Sequence, residues 1–200
     1  IIPGLVGSEM CIRDSLIKEL IPTQSYRTLV LALSGGLDSM VLLHALCELV
    51  KDKRIGAKIR AVHVNHRLHK DANNWEIFCV KRCAVLSVPI IVERLQQDLL
   101  KEGESNLEHK ARKERYKVFE SAIGQDCCIL LAHHLDDQLE TLFFRLNRGA
   151  GIRGLTAVPQ SRELGSTKIF RPLLGISRKS LQQYAESQNL QWVEDSSNAN

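Results

Sequence analysis

The segment Leu29-Val30-Leu31-Ala32-Leu33-Ser34-Gly35-Gly36-Leu37-Asp38-Ser39 constrains this chain more than any other. An apolar run stops at two glycines, and an apolar helical pattern, Met40-Val41-Leu42-Leu43-His44-Ala45-Leu46, begins at once. The order reads as a buried strand, a tight loop and a helix start. A helix start has unpaired backbone N–H groups and the positive end of the macrodipole, so it favours anions. Gly35 and Gly36 allow close approach of the backbone to a phosphate and permit positive φ. Ser34 and Ser39 add hydroxyl donors. Asp38 repels phosphate unless a cation lies between them, which points to phosphate with Mg2+. The plain alternative is a glycine turn with an Asp near a helix start, a common feature of α/β proteins.

Two familiar nucleotide loops do not fit. A P-loop needs G-x-x-x-x-G-K-[ST], and no lysine stands here; a dinucleotide fingerprint needs G-x-G-x-x-G, and Gly35-Gly36 lacks that spacing. Ser34-Gly-Gly-Leu-Asp-Ser39 after a strand resembles the PP-loop of the ATP pyrophosphatases, which cleave ATP between the α and β phosphates.

The remaining chain alternates strands with helices. Strands are expected at 28–33, 59–64, 88–92, 127–132 and 167–170, and helices at 15–21, 40–51, 71–87, 105–123, 136–148 and 177–189. Ser105-Asn106-Leu107-Glu108 reads as a capping box. Alternating βαβ units imply an α/β fold: a doubly wound, mainly parallel five-stranded sheet with helices on both faces. Ligands in such sheets bind at the carboxyl ends of the strands. Three polar clusters fall there, at 34–39, 63–69 and 133–140, so one site at one rim is expected. Residues 1–14 carry no initiator Met and no signal-peptide pattern, and are set aside as a non-native or disordered extension. Residues 15–200 then form the domain.

A second constellation is His133-His134-Leu135-Asp136-Asp137-Gln138-Leu139-Glu140-Thr141. Asp137 and Glu140 are i,i+3 and share a helix face; Asp136 and Glu140 are i,i+4 on a neighbouring one. Two acids on one face can hold an ammonium, a metal or a proton. Favourable placement in a first helical turn explains Asp136 and Asp137 equally simply, though not the adjacent histidines. His63 and His66, at a strand end, read as solvent-facing loop histidines. Arg112, Arg115 and Tyr116 lie along one helix flank, where arginines can meet phosphate or a base; a solvated charged face is the plainer reading.

The 200 residues carry a net charge of +4, which permits a nucleic-acid or nucleotide partner without requiring one. The six cysteines form no C-x-x-C pair and read as buried free thiols in a reducing, cytoplasmic setting. No apolar run approaches the length of about 18 residues that a membrane span needs.

Jointly, the motifs resemble the tRNA(Ile)-lysidine synthetases, a branch of the PP-loop, adenine nucleotide alpha hydrolase-like enzymes. The matching pieces are the glycine loop, Val62-His-Val-Asn-His66, Ala111-Arg-Lys-Glu-Arg-Tyr116 and Ala132-His-His-Leu-Asp-Asp-Gln-Leu-Glu-Thr141. They continue with Arg145-Leu-Asn-Arg-Gly-Ala-Gly-Ile-Arg-Gly-Leu155, Arg171-Pro-Leu-Leu174 and Trp192-Val-Glu-Asp-Ser-Ser-Asn198. The resemblance implies ATP and Mg2+ as cofactors, with free L-lysine and an isoleucine tRNA with a CAU anticodon as partners. It implies no membrane partner and leaves a homodimer open. It further implies that Ser34, Gly35, Gly36, Leu37, Asp38 and Ser39 bind the ATP phosphates, with Asp38 as the metal residue. His63 and Val64 would meet adenosine, Asp137 and Glu140 would grip the lysine ammonium, and Arg112 would contact substrate or phosphates. A neighbouring carboxylate or histidine, with His133 the candidate, would accept the amine's proton. Arg67 stands where the family usually has Gly, and Val158 where it usually has Met. The family continues into an Arg-Asn element and usually a C-terminal tRNA-binding region, so the chain reads as a truncated catalytic domain. Another PP-loop tRNA-modifying enzyme, such as a tRNA thiolase, and a non-catalytic nucleotide-binding module are the competing readings.

Overall fold

A computed structural model describes residues 5–95, 107–121, 124, 126–149 and 157–194. The helices are α1 (Leu5–Leu20), α2 (Leu37–Lys51), α3 (Ala72–Val85), α4 (Leu107–Ser121), α5 (Leu135–Asn147) and α6 (Arg178–Ser187). The strands are β1 (Thr28–Ala32), β2 (Lys58–Asn65), β3 (Ile90–Arg94), β4 (Cys127–Leu130), β5 (Ser161–Leu164) and β6 (Thr167–Phe170). They form one sheet in the order β3-β2-β1-β4-β6-β5. Every neighbouring pair is parallel except β5–β6.

Continuous apolar strands at the centre reflect burial on both faces. In β1, Leu29 and Leu31 face a core built with Leu16 of α1, Leu42 and Leu46 of α2, Cys79 of α3 and Leu181 and Tyr184 of α6. Val30, between them, faces the other side, where Val62, Ile129 and Ile169 pack with Phe119 of α4. Helices thus cover both faces of the sheet, as the alternation requires. Each fully buried leucine contributes about 1.5–3 kcal/mol of transfer free energy. Along α5, by contrast, Leu139, Phe143 and Phe144 are exposed.

One sequence expectation is corrected. The sheet has six strands rather than five, because Ser161-Arg-Glu-Leu164 pairs antiparallel with β6 around a turn where Gly165 has φ +55°. This edge strand is polar and mostly exposed, so it carries no hydrophobic alternation to read. α1 begins at Leu5, ahead of the helix expected at 15–21. Ile12, Leu16 and Leu20, spaced by four, form one buried stripe of α1. Asp14 further receives Arg54 Nη1 at 2.9 Å. The expected cap residue Ser105 lies outside the described residues.

The sheet order fixes where a ligand can sit. From β1 the chain crosses to β2 on one side, while β4 lies on the other. A topological switch point therefore falls between the carboxyl ends of β1 and β4, where doubly wound sheets open a crevice.

The loop after β2 shows how Arg67 is tolerated in place of Gly. Its φ is +54°, a left-handed conformation, and its N–H donates to Asn65 Oδ1 at 2.9 Å. Asn65 Nδ2 in turn donates to Glu76 at 2.8 Å. Arg94, with Nε 3.0 Å from Oε2, holds the Glu76 carboxyl down at about 2, against the opposing effect of burial. Arg67→Gly removes about 1 kcal/mol of left-handed strain and adds about 0.5–1 kcal/mol of unfolded-state entropy. Denaturant melts are expected to place it within about 0.5 kcal/mol of the parent, whereas Arg67→Val is expected to lose more than about 1 kcal/mol.

Candidate active site

The loop after β1 is held by its own serines. Ser39 Oγ accepts from Gly35 N–H at 3.1 Å and donates to the Gly36 carbonyl at 3.0 Å. Ser34 Oγ accepts from Gly36 N–H at 3.3 Å and lies 3.0 Å from Ser39 Oγ. Gly35 has φ +91°, and Gly36 is the residue before the first turn of α2. The stretch after α6 seals the loop from outside, with Val193 N–H donating to the Gly35 carbonyl at 3.0 Å. A Cβ at Gly35 would stand 3.0 Å from Cys79 Sγ and 3.1 Å from Val193 Cγ2. This glycine is therefore required by both conformation and space.

Asp38 sits in the first turn of α2. Its Oδ1 is buried with no hydrogen-bond partner. Burial pushes its pKa up from the ordinary carboxylate value, and Asp137 adds to this; His134 and Arg178 pull the other way. Asp38 Oδ2 lies 3.7 Å from His134 Nε2. That contact joins the glycine loop to the end of β4 across the switch point.

His134 is the residue before α5 and is buried. Its Nδ1 lies 3.6 Å from Asp136 Oδ2 and 3.8 Å from Asp137 Oδ2. Three carboxylates thus surround one imidazole at Coulombic rather than hydrogen-bonding range. Asp137 Oδ2 accepts from His134 N–H at 2.8 Å, which ties one of its oxygens to the start of α5. Asp136 Oδ2 accepts from Arg178 N–H at 2.8 Å and so docks α6 against the site. Glu140 is exposed one turn beyond Asp137.

His133 is pushed down to about 4 by burial first, then by Arg171, Arg112 and His134, against the pull of Asp137. It is neutral at pH 7, with a buried Nδ1 that has no partner. Arg112, on α4, donates from Nη2 to Tyr116 Oη at 3.2 Å. His63 is buried within β2 rather than facing solvent, because Ala61 and His63 share the face covered by α2 and α3. Its Nδ1–H donates to the Leu33 carbonyl at 2.8 Å. Val64 points to the opposite face and packs with Leu95 and Val118. His66 is the loop histidine, with Nε2 accepting from Arg115 Nε at 3.1 Å.

The loop after β1 and the acidic start of α5 therefore meet directly, and His63 supports the loop from β2. Sequence reasoning did not single out His134, Arg178 or Val193 individually. His134 was visible as part of a histidine pair at a strand end, but no spacing rule separates it from His133. Arg178 and Val193 arrive through α6 and the turn beyond it, which only the fold brings near.

A helix N-terminus and a buried, unpaired Asp38 oxygen fit a nucleoside triphosphate accompanied by a divalent cation. A model of the PP-loop domain matches residues 11–200. The chain belongs to the PP-loop domain family. The tRNA(Ile)-lysidine synthase of Pseudomonas aeruginosa is 44% identical to this PP-loop domain over 187 residues, covering 94% of this chain and 41% of that protein. The tRNA(Ile)-lysidine synthase of Coxiella burnetii is 42% identical over 185 residues, covering 92% and 40% respectively. The chain thus spans about two-fifths of the curated relatives it matches. Among solved structures, the U34-tRNA thiolase NcsA from Methanococcus maripaludis superposes with a TM-score of 0.78 at 18% identity, covering 94% of this chain and 67% of that one. The NH3-dependent NAD synthetase from Campylobacter jejuni superposes at 0.60 with 16% identity, covering 93% and 74%. At such identities these structures show a common fold. Among the described residues no helix is long and apolar enough to cross a membrane.

Proposed function

We propose that this domain catalyses the ATP-dependent attachment of L-lysine to C2 of the wobble cytidine in an isoleucine tRNA with a CAU anticodon, in the bacterial cytoplasm. The observation that carries this reading is the Asp38–His134 contact, which sets the phosphate loop against an acid-bearing helix start in a chain 44% identical to a named synthase.

The chemistry follows from the residues. The cytidine C2 oxygen attacks the α phosphorus, the α–β bridging bond breaks, and pyrophosphate leaves towards the start of α2. Asp38 would hold Mg2+, which would supply neutralising charge there. The C2 oxygen, a poor leaving group by itself, now departs as part of AMP. The ε-ammonium of lysine gives up one proton, and the neutral amine forms the C–N bond as the C–O bond to AMP breaks. Asp137 and Glu140 hold the ammonium, with Asp137 Oδ1 available beyond the bond its other oxygen makes to His134 N–H. A nearby carboxylate or neutral His133 takes the proton. His63 and Val64 border adenosine, and Arg112 faces substrate or phosphate.

Against a thiolase, Cys79, Cys83 and Cys128 are buried and pushed up to about 12, 11 and 12. Such thiols stay protonated at pH 7 and are poor nucleophiles. A non-catalytic nucleotide module has no use for the acidic helix start.

The test is incorporation of labelled lysine into an isoleucine tRNA transcript. Label is expected in RNA only when ATP is present, and Glu140→Gln is expected to raise the lysine concentration needed for half-maximal rate about tenfold. Sulfur incorporation, or ATP cleavage indifferent to lysine, would refute the proposal; an unchanged lysine requirement in Glu140→Gln would remove Glu140 from the lysine site. Sedimentation of the same preparation reads whether the chain is a homodimer.

A further inference from the structure

The edge strand missing from the sequence reading carries Arg162. In register, Arg162 pairs with Ile169, which is buried on the α4 face; Glu163 pairs with Lys168 on the other. Arg162 therefore meets α4, where its guanidinium carbon stands 4.6 Å from the centre of the Tyr116 ring. Arg112 approaches the same ring at 5.3 Å. Phe119, buried in the core, meets it edge to face at 5.9 Å and fixes its plane.

Arg171, immediately after β6, completes the group. It is 2% exposed, Nη1 donates to the Pro159 carbonyl at 2.7 Å, and it interacts electrostatically with Tyr116. Its Nε is buried and has no partner. Among the described residues, no carboxylate lies in ion-pair range of Arg112, Arg162 or Arg171, whereas Glu163 pairs with Lys168 and Glu114 with Lys117. Three guanidiniums gathered on one ring without a counter-ion repel one another; Arg162 and Arg112 both disfavour the charged form of Arg171. An anion would relieve that repulsion and satisfy the unpartnered donor.

We propose that Arg112, Arg162 and Arg171 around Tyr116 form a second phosphate site, which takes a backbone phosphate of the RNA strand presented to the glycine loop. The RNA identity rests on the function proposed above. Position favours RNA over ATP as the source of the phosphate. The cluster lies at the carboxyl end of β6, two strands from β1 and so about 10 Å along the sheet from the loop that cradles ATP. His133, which feels both Arg171 and Arg112, lies between the two sites. A strand anchored at the cluster would direct its neighbouring base over His133 towards Asp38.

Arg162 is exposed on an edge strand, so its removal leaves the core intact. The probe is a labelled stem-loop with a CAU anticodon, titrated by fluorescence anisotropy with the full chain across a range of salt, without ATP or lysine. Arg162→Ala is expected to weaken binding about fivefold and to reduce the slope of log affinity against log salt by about 0.7, the value for one phosphate contact on a single strand. Arg162→Lys is expected to restore the slope. Calorimetry should give the same ATP affinity for Arg162→Ala as for the parent. Unchanged RNA affinity and slope in Arg162→Ala, or no binding of the stem-loop by the parent chain, would overturn the site. Loss of ATP affinity with RNA binding intact would assign the cluster to ATP and overturn it equally. The two proposals fail separately: chemistry that ignores lysine refutes the lysidine reading, while the RNA-binding loss in Arg162→Ala would stand.

Discussion

Asp38→Ala is expected to lower turnover by about a thousandfold or more while the protein remains folded. One Asp38 oxygen is buried without a partner, and burial works against the charge it must carry. Such a group weakens the fold, so its removal relieves a desolvation cost. The nearest ionisable contact, His134 Nε2 at 3.7 Å, is too long to be a hydrogen bond whose loss would matter to stability. What disappears is the negative charge beside the first turn of α2, where phosphates and their cation must be reconciled. Asp38→Asn keeps the shape and loses the charge, so it should match Asp38→Ala in rate. Pyrophosphate release and a thermal melt measure the two quantities. Turnover within tenfold of the parent in either variant would remove Asp38 from the chemistry.

Gly35→Ala is expected to damage both stability and nucleotide binding. A side chain at φ +91° costs about 1–3 kcal/mol by conformation alone. The new methyl would also press on Cys79 Sγ at 3.0 Å and Val193 Cγ2 at 3.1 Å, one from α3 and one from the stretch that closes over the loop. Cys79 is buried in the main core and cannot retreat without moving α3. The total expected loss is about 2–4 kcal/mol, with ATP affinity down at least about tenfold because Gly35 N–H and Ser39 Oγ no longer hold their geometry. Cys79→Ala in the same chain should recover only part of the stability, since it makes room but leaves φ unchanged. Denaturant melts and calorimetric ATP titration report these effects. A Gly35→Ala variant as stable as the parent would show that the loop does not need its left-handed residue.

The parts of this fold that were legible in the sequence are those where burial writes a pattern. β1 and β4 are apolar on both faces and flank the switch point, so the strand–glycine–helix order and the cluster at 133–140 could be placed at one rim. β5 was not legible, because an exposed edge strand of Ser, Arg, Glu and Leu has no buried face to impose a period. His63 was misplaced for a related reason. A polar residue at a strand end looks solvent-facing until the strand continues to Asn65, and the Leu33 carbonyl satisfies its Nδ1–H. Within the site, residue types were readable and partners were not. Asp136 and Asp137 both lie in a first helical turn, yet one caps α5 and the other docks α6, and only the backbone path of α6 decides between them.

The central claim is that the glycine loop directs attack at the α phosphorus of ATP in support of RNA modification. The most direct measurement follows ATP labelled at the γ phosphorus, with lysine and an isoleucine tRNA transcript. The account predicts that the label leaves as pyrophosphate, with AMP formed in equal amount and only when RNA is present. Release of the label as inorganic phosphate, with ADP as the nucleotide product, would contradict it.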